Sequence, residues 1–357
     1  MQDTLPQRIE SLYGALLGAA VGDALGIAYE NLSPSRAVRL FPRTDRFHLV
    51  SGVGLISDDA EHAIMTARAL ARSGGEAELF LQALAHELRV WIAALPAGTG
   101  LATARAGVKL WLGFSPRRSG VRSAGNAPAL RAALIGVACA ENSALRNELT
   151  HLSTTLIHTD PKALHGAQIA AEFGAFAALH FGNALTPHAV APVIEGAEGE
   201  LRTLLEATVK SVVAGHTPEA FTQAQGWTRG VSGYIYHTIP AALHAWLCYP
   251  SRFEEAVQSL IRCGGDTDST AALLGIWMGA QRGAESVPPR WQMQLKDPVA
   301  RPALLRSLAE RVVDALSRHT PLPAPRPLFP VRLLRNLLFL AVVLAHVGRR
   351  ALPPYSH

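Results

Sequence analysis

The stretch GALLGAAVGDALGIAYE, residues 14–30, places glycines four residues apart at Gly14, Gly18, Gly22 and Gly26. Because residues i and i+4 lie on the same side of an α-helix, these glycines form one helical face without side chains. Such a face lets a second helix approach very closely. The stretch therefore predicts a tight helix pair. The same spacing occurs in membrane helix dimers, but Asp23 and the shortness of the apolar stretch argue against that setting.

Helical periodicity extends over most of the 357 residues. Hydrophobic residues make up 49% of the chain and aromatic residues only 6%, and long Ala- and Leu-rich segments favour helices over strands. No repeat of fixed period is present. The sequence predicts an all-α fold, a single large helical bundle domain with an appended C-terminal helix. The predicted helices cover 7–26, 59–73, 77–95, 127–140, 161–181, 200–214, 238–248, 252–263 and 269–282.

The predicted domain covers residues 1–318, followed by a Pro-rich linker at 319–330 and a C-terminal apolar helix and tail at 331–357. The linker contains five prolines, and the uncharged run from Asn336 to Val347 is shorter than the roughly 20 residues that span a bilayer. We expect residues 331–347 to form a helix that packs its apolar side on the domain or on a second subunit, which would make an oligomer. That side comprises Leu334, Leu337, Leu338, Val342 and Leu344. Flanking arginines leave a membrane-surface helix as the alternative.

Composition excludes several classes of protein. The net charge of +5 comes from dispersed basic residues without a stripe of interleaved aromatics, so nucleic acid is not expected as a main partner. The three cysteines form no CxxC pair, which indicates neither a disulfide framework nor a zinc cluster and fits a cytoplasmic protein. The N-terminal stretch lacks the basic region and cleavage site of a signal peptide. Membrane attachment is likewise not expected.

Closely spaced acidic residues are unusual in such an apolar chain. Ser57, Asp58 and Asp59 precede one predicted helix, and GGDTDS at 264–269 begins another. The first group alone is typical of an ordinary helix N-cap, but the second offers more polar groups than a cap needs. Carboxylates packed together resist burial unless cations compensate them, and oxygen-only ligands select hard ions such as magnesium, manganese or calcium. Asp23 could equally form hydrogen bonds inside the bundle or support a metal ligand.

Three motifs resemble those of the ADP-ribosylglycohydrolase family over about residues 12–315. The family's GALxGxAxGDALGxxxE, (T/S)DD and GGDTD(T/S) motifs match residues 14–30, 57–59 and 264–269 in the same order. Softer matches are GNAPALR at 125–131, IHTDPKAL at 157–164 and GVSGYIYHTIPAALHAW at 230–246.

The resemblance implies a hydrolase that uses two divalent cations, Mg²⁺ or Mn²⁺. By it, Asp268 would bridge the ions, Asp59 or Glu30 would act as the general base, and Asn126, His158 and Asp160 would contact the substrate. Serine replaces the commoner threonine at 57 and 269 but keeps a hydroxyl ligand. Ala127 replaces a common glycine, which leaves the substrate preference open. The implied metal ligands are Ser57, Asp58, Asp59, Asp266, Asp268, Ser269 and Glu30.

The expected activity is hydrolysis of a glycosidic bond to ADP-ribose, carried by a modified protein or by a small molecule. The main alternative is a catalytically silent ADP-ribose or nucleotide-binding protein of the same fold, which the intact aspartates disfavour. A helical membrane-surface scaffold would explain none of the aspartates. We interpret His62 as structural, whereas His158 lies in a turn where it could contact substrate or cap a helix.

Overall fold

The computed structural model describes residues 4–351, and within them it consists of α-helices joined by loops, with isolated β-bridges and no β-strand. The prediction of an all-α fold is confirmed. The helices are Leu5–Gly26 (α1), Pro34–Leu40 (α2), Asp58–Ser73 (α3), Ala77–Ala93 (α4), Leu101–Trp111 (α5), Ala127–Ala138 (α6), Ser143–Thr155 (α7), Pro161–Leu179 (α8), Ala191–Glu195 (α9), Gly199–Val213 (α10), Pro218–Ala224 (α11), Ile235–Cys248 (α12), Phe253–Cys263 (α13), Thr267–Arg282 (α14), Pro289–Gln294 (α15), Pro302–Arg318 (α16) and Phe329–Ala351 (α17).

All nine helices predicted from periodicity are present, and their ends agree with the prediction to within about three residues. The prediction omitted several other helices, including α5, α7 and α16. Two of the omitted helices, α2 and α11, span only seven residues each, too few for a helical period to stand out. Four tryptophans in the core are fully buried: Trp91, Trp246, Trp277 and Trp291.

The glycine face of α1 lies directly against the backbone of α14. A Cβ atom added at Gly18 would lie 2.1 Å from the carbonyl oxygen of Gly275, and one added at Gly22 would lie 2.2 Å from that of Ala271. The two helices run antiparallel, because residues later in α1 meet residues earlier in α14. The C-terminal end of α1 therefore lies beside the N-terminal end of α14, where two of the three acidic motifs are.

A second close helix pair, α6 and α8, packs beside the first. A Cβ atom at Gly136 would lie 2.0 Å from the carbonyl oxygen of Ala171, and one at Gly174 would lie 2.2 Å from that of Ala133. Small residues thus bring both pairs into backbone contact. Because backbone packs directly against backbone at these two interfaces, the helices can shift very little relative to each other.

The segment after α16 crosses the surface of α3 in an irregular conformation. Leu322 donates its N–H to the carbonyl of Ala71 at 2.9 Å, and the Arg68 Nε donates to the carbonyl of Pro325 at 3.1 Å. This segment leads to α17, which begins at Phe329, two residues before the predicted start. Residues 352–357 of the predicted tail lie outside the described residues.

The orientation of α17 corrects one prediction. Leu334, Leu338 and Leu344 are 60%, 60% and 62% exposed, so the predicted apolar side does not pack on the domain. Instead the polar side of the helix is buried, with Arg332 at 3% and Asn336 at 0% exposure. The physical reason is that acidic side chains and backbone carbonyls on the domain surface pair with the arginines and the asparagine of α17. Packing on a second subunit stays a prediction.

Two described helices are long and apolar enough to cross a membrane by length and composition alone. One, Leu5–Tyr29, contains the core helix α1, and its apolar 18-residue window is entirely buried. The other, Phe329–Arg350, corresponds to α17, and only 28% of its apolar window is buried. Burial in the core explains why the first helix is apolar. It does not explain why α17 is apolar, because most of that helix is not buried.

The backbone contact between α1 and α14 predicts that Gly18→Val destabilises the protein. The new side chain would meet a backbone carbonyl that cannot move aside, so we expect the free energy of unfolding to fall by about 3 kcal/mol. Gly348→Ala is the control, because that helical glycine has nothing within 4 Å of an added Cβ. It should stabilise by roughly 0.5–1 kcal/mol. Urea unfolding of both variants measures the difference, and equal midpoints would contradict the contact.

Candidate active site and metal centre

Asp23, near the C-terminal end of α1, holds the turn that begins α3. Its fully buried carboxylate accepts hydrogen bonds from the N–H of Ser57 at 2.9 Å and from the N–H of Ala60 at 2.8 Å. Burial raises the pKa of Asp23 to about 7, although the two backbone N–H donors act to lower it. The role left open by the sequence is thus a structural one: Asp23 orients the acidic motif of α3.

The N-terminus of α3 carries Asp58 and Asp59 in its first turn. Ser57 is the N-cap, and its hydroxyl accepts a hydrogen bond from the N–H of Asp59 at 3.2 Å. Carboxylates are stabilised at this end of a helix by the unpaired N–H groups and the helix dipole. Both aspartates line a cavity, whereas the capping Ser57 does not. The predicted part of Ser57 in ion ligation therefore stays a prediction.

Two glycines in the left-handed region position the second acidic motif. Gly264 and Gly265 have φ values of 68° and 83°, which side chains other than glycine rarely adopt. Gly265 donates its N–H to the carbonyl of Leu32 at 2.8 Å, and Asp266 donates to the carbonyl of Val231 at 2.7 Å. The turn is therefore held between the segment that follows α1 and the segment that precedes α12.

The carboxylates of the two motifs meet in one cluster. Asp59, Asp266 and Asp268 each offer an oxygen, and these atoms lie within 4.8 Å of one another. The hydroxyl of Ser269 also donates to the Asp59 Oδ2 at 2.6 Å, which joins the start of α14 to the start of α3. The N-termini of α3 and α14 therefore converge on one acidic cleft.

The electrostatics of the cluster fit a cation. Burial and the neighbouring carboxylates raise the pKa values of Asp58, Asp59 and Asp268 well above their ordinary range. For the partly exposed Glu30, burial and then Asp266 raise the pKa. None of the described residues that line the cavity is lysine or arginine. Oxygen ligands without a positively charged partner are suited to a hard metal ion.

The cavity above the cluster is open to solvent and has a volume of about 290 Å³. Its lining combines the acidic groups with mostly small and polar residues, and together these come from seven segments of the chain. The lining residues are Glu30, Asp58, Asp59, Gly98, Gly100, Leu101, Ala102, Thr103, Ser123, Gly125, Asn126, Ala127, His158, Gly233, Asp266, Asp268 and Ser269.

The three predicted substrate-binding residues have different positions. Asn126 lines the cavity, but its amide donates to the Asp266 Oδ2 at 2.7 Å and to the Thr238 hydroxyl at 2.9 Å, so it also fixes a member of the cluster. His158 lines the cavity, and burial, with a contribution from Arg131, lowers its pKa to about 3. This imidazole is therefore neutral near pH 7.

Asp160 does not line the cavity, and its predicted contact with the substrate stays a prediction. Its carboxylate caps α8 by accepting the N–H of Lys162 at 2.9 Å, and its other oxygen lies 3.6 Å from Arg122. Aspartate directly before the proline of a helix start is a common N-cap, and this local role accounts for the residue. His62 also lies outside the lining, with its ring centroid 5.2 Å from that of Trp91 in a tilted arrangement, which agrees with the structural role predicted for it.

Sequence reasoning missed the loop that closes one side of the cavity. Gly98, Gly100, Leu101, Ala102 and Thr103 belong to the lining. A Cβ atom at Gly98 would lie 3.3 Å from the Asp58 Oδ1. A signal was present, since LPAGTG at 95–100 is a turn-rich break between two helical segments. It carries no charged residue, however, and nothing in the sequence joins it to the acidic motifs.

The polar side of α17 supports the site from outside the cavity. The Arg335 guanidinium donates to the carbonyl of Ile56, the residue before Ser57, and its Nε donates to the Asp297 carboxylate at 3.1 Å. Further along the helix, Arg350 donates to the carbonyl of Glu30 at 2.8 Å. The C-terminal helix therefore contacts the backbone of two segments that carry predicted ligands.

Comparison with known proteins identifies the family that the sequence motifs resemble. The ADP-ribosylglycohydrolase family profile matches residues 4–321. A curated relative, the ADP-ribosyl-[dinitrogen reductase] glycohydrolase of Rhodospirillum rubrum, is 26% identical over 319 residues, which cover 88% of this chain and 97% of the relative. An uncharacterized protein of Archaeoglobus fulgidus is 28% identical over 295 residues, covering 81% and 92% of the two chains.

A solved structure, an ADP-ribosylglycohydrolase-related protein complex, has the same fold. It superposes with a TM-score of 0.65 at 24% identity, covering 87% of this chain and 99% of that one. The helical fold and the profile match define the protein as a hydrolase of the class that cleaves glycosidic bonds to ADP-ribose. The chain belongs to the ADP-ribosylglycohydrolase family.

Loss of the Arg335 side chain is expected to destabilise the protein. Arg335→Met would leave Asp297 and Glu61, which lies 3.7 Å from the guanidinium, buried without their positive partner. Breaking such a buried pair costs about 3–5 kcal/mol. Urea unfolding of R335M gives the change in unfolding free energy.

The matched control for R335M is Arg318→Met, since Arg318 makes an ion pair with Asp314 at the surface and is 71% exposed. The control should change stability by less than about 1 kcal/mol. Adding Asp297→Asn to R335M should recover part of the loss, because the neutral amide is easier to bury without a counter-charge. Equal effects of R335M and R318M would contradict the supporting role of α17.

Proposed function

We propose that the acidic cleft binds two divalent cations, Mg²⁺ or Mn²⁺, and that the protein hydrolyses a glycosidic bond to ADP-ribose there. The single observation that carries the proposal is the cluster of the buried Asp59 and Asp268 with the partly buried Asp266, with no lysine or arginine in the described cavity lining. Carboxylates this close together need either protons or a cation to offset their repulsion, and the fold brings them together from two distant motifs. A hard metal supplies the missing positive charge.

The proposed ligands come from three segments that the fold brings together. Asp268 would bridge the two ions, and Glu30 would lie near the second ion. The hydrogen bond from Ser269 to Asp59 links members of the ligand set before any ion binds. The full set is Ser57, Asp58, Asp59, Asp266, Asp268, Ser269 and Glu30.

Hydrolysis of a ribosyl bond passes through a centre with oxocarbenium character, so the site must orient the ribose and supply water. When bound, the cations would hold the ribose hydroxyls and make a water molecule more acidic. The chain itself must provide a carboxylate that accepts the proton. Asp59 and Glu30 remain the two candidates for this general base, and burial raises the pKa of both carboxyl groups.

The rest of the cavity would hold the substrate. His158 is neutral and could offer a hydrogen bond to a ribose or phosphate oxygen without adding charge, while Asn126 keeps Asp266 in place. The proposed substrate is an ADP-ribosylated protein or an ADP-ribose-containing small molecule. The name of the Rhodospirillum rubrum relative specifies a modified protein, dinitrogen reductase, and this supports an ADP-ribosylated protein as the substrate. We further propose that the protein acts in the cytoplasm, which suits its three free cysteines.

A catalytically silent ADP-ribose-binding protein is the competing proposal. It predicts that binding persists while turnover is absent, and it would be favoured by the loss of a ligand aspartate. Asp58, Asp59, Asp266 and Asp268 are all present and line the same cavity. The complete set favours turnover.

The decisive experiment is an activity panel. Proteins modified on arginine, on serine and on other acceptors, together with ADP-ribose derivatives of small molecules, are incubated with the protein and Mg²⁺ or Mn²⁺. Chromatography then measures released ADP-ribose. We expect release from at least one substrate, and chelation with EDTA should abolish it. Binding of ADP-ribose without release from any substrate would favour the silent protein.

The bridging assignment predicts the behaviour of Asp268→Asn. The variant should lose turnover by roughly 10³-fold or more, because one charge that would hold both cations is removed. Its melting temperature without added cations should not fall, since the change also relieves repulsion among buried carboxylates. Addition of Mg²⁺ or Mn²⁺ should raise the melting temperature of the unmodified protein more than that of D268N.

Asp314→Asn is the matched control for D268N, because Asp314 forms a surface ion pair with Arg318 and lies outside the cavity. It should keep both turnover and the cation-dependent rise in melting temperature. Turnover of D268N close to that of the unmodified protein in saturating Mg²⁺ would overturn the bridging role.

The two candidate bases are separated by Glu30→Gln and Asp59→Asn. Because both carboxylates also belong to the proposed ligand set, calorimetry should show weaker cation binding by each variant. The variant that lacks the base should keep a low kcat at saturating Mg²⁺ or Mn²⁺, whereas a variant that lacks only a ligand should recover kcat there. Full activity of both variants would show that neither carboxylate is the base.

A further inference from the structure

The outward face of α17 is apolar from Phe329 to Gly348. Nine large hydrophobic side chains between residues 328 and 347 are at least 37% exposed. Every exposed residue from 328 to 348 is apolar, and the polar residues of that segment are buried or partly buried. Contiguous apolar surface of this kind is unusual on a soluble monomer and marks a contact surface. The nine side chains are Leu328, Phe329, Val331, Leu334, Leu337, Leu338, Leu340, Leu344 and Val347.

Polar contacts with the domain fix this face in its outward orientation. Near the start of the helix, Arg332 lies 3.9 Å from Glu87 and Asn336 donates to the carbonyl of Ala94 at 2.8 Å. Near its end, the His346 ring lies 3.0 Å from the carbonyl oxygen of Ala28. Rotation of α17 to bury the leucines would remove these contacts and leave Glu87 with less positive charge nearby. The helix therefore lies along the domain surface and holds its leucines outward.

The ends of the apolar face are basic. Arg326 and Arg349 are exposed on either side of it, and Arg350 follows at the C-terminal end. Residues 315–350 contain no aspartate or glutamate. An apolar strip between positive charges is complementary to a surface that combines hydrocarbon with negative headgroups.

A second copy of the chain matches this face less well. Antiparallel pairing of two α17 helices would bring Arg326 of one copy near Arg349 of the other, and parallel pairing would bring identical arginines together. Neither arrangement supplies an acidic residue from 315–350 to offset the repulsion. A bilayer-spanning arrangement is also disfavoured, because the buried Arg335 and Asn336 bind the domain along the other side of the helix.

We propose that α17 binds the surface of an anionic phospholipid bilayer. The helix lies in the plane of the interface, with Leu334, Leu338 and Leu344 in the outer acyl region and the flanking arginines at the headgroups. The polar side remains on the domain, so membrane binding requires no unfolding or rotation of α17. Hydrolase activity is not part of this inference.

Vesicle sedimentation with the full chain tests the proposal. The probes are large unilamellar vesicles of phosphatidylcholine alone and of phosphatidylcholine mixed with phosphatidylglycerol. The protein should pellet with the anionic vesicles, and high salt should weaken the binding. Leu334→Gln, Leu338→Gln and Leu344→Gln combined should weaken it roughly tenfold or more, because each removes apolar area that would enter the interface.

The matched control combines Leu112→Gln, Val213→Gln and Met293→Gln, which are 71%, 61% and 66% exposed elsewhere on the protein. It should bind anionic vesicles like the unmodified protein. Both triple variants should keep the original melting temperature, since all six side chains are exposed. Sedimentation is compared with the mass in solution from light scattering.

Several results would overturn the proposal. Failure of the unmodified protein to pellet with anionic vesicles is one, and unchanged pelleting of the L334Q/L338Q/L344Q variant is another. Equal binding to neutral vesicles would overturn the requirement for anionic lipid. A lipid-free dimer that becomes a monomer in this variant, without vesicle binding by either protein, would show that a second copy covers the face.

Discussion

The backbone contact between α1 and α14 is the constraint on which the rest of the structure depends. Gly18 and Gly275 let the two helices touch, and their antiparallel course brings the C-terminal end of one beside the N-terminal end of the other. Asp23 at the end of α1 then holds the first turn of α3 through backbone N–H groups. Three acidic motifs that are far apart in the sequence thus reach one cleft because two helices lack side chains where they meet.

Buried carboxylates in this protein form two groups with different environments. Glu61, Glu87 and Asp297 each lie within 4.0 Å of at least one arginine nitrogen, and these pairs hold α17 and α3 in place. Burial and then neighbouring carboxylates raise the pKa values of Asp59 and Asp268, and the cavity lining near them carries no lysine or arginine among the described residues. The first group is compensated by the chain itself. The second has the environment of a site for external cations.

Local patterns predicted the helices, because glycine spacing and helix-start residues act over a few positions. The meeting of the acidic motifs was implied by the resemblance to the family and by no local pattern. The orientation of α17 was not predictable in this way. Periodicity separates Leu334 and Leu338 from Arg335 and Asn336, but it does not say which side meets the protein. That choice depends on acceptors such as Asp297, which is 38 residues away in the sequence. Asp160 shows the same limit, since a helix cap and a substrate ligand share one residue type, and the ligand roles themselves stay predictions.

The contacts of α17 also affect where the folding unit ends. Similarity to the family stops at residue 321, yet Glu61, Glu87 and Asp297, inside that boundary, contact arginines beyond it, at 332 and 335. A boundary drawn by homology would therefore separate buried acids from their counter-ions. A substitution at any of these acids or arginines therefore acts on the core and on the tail at once.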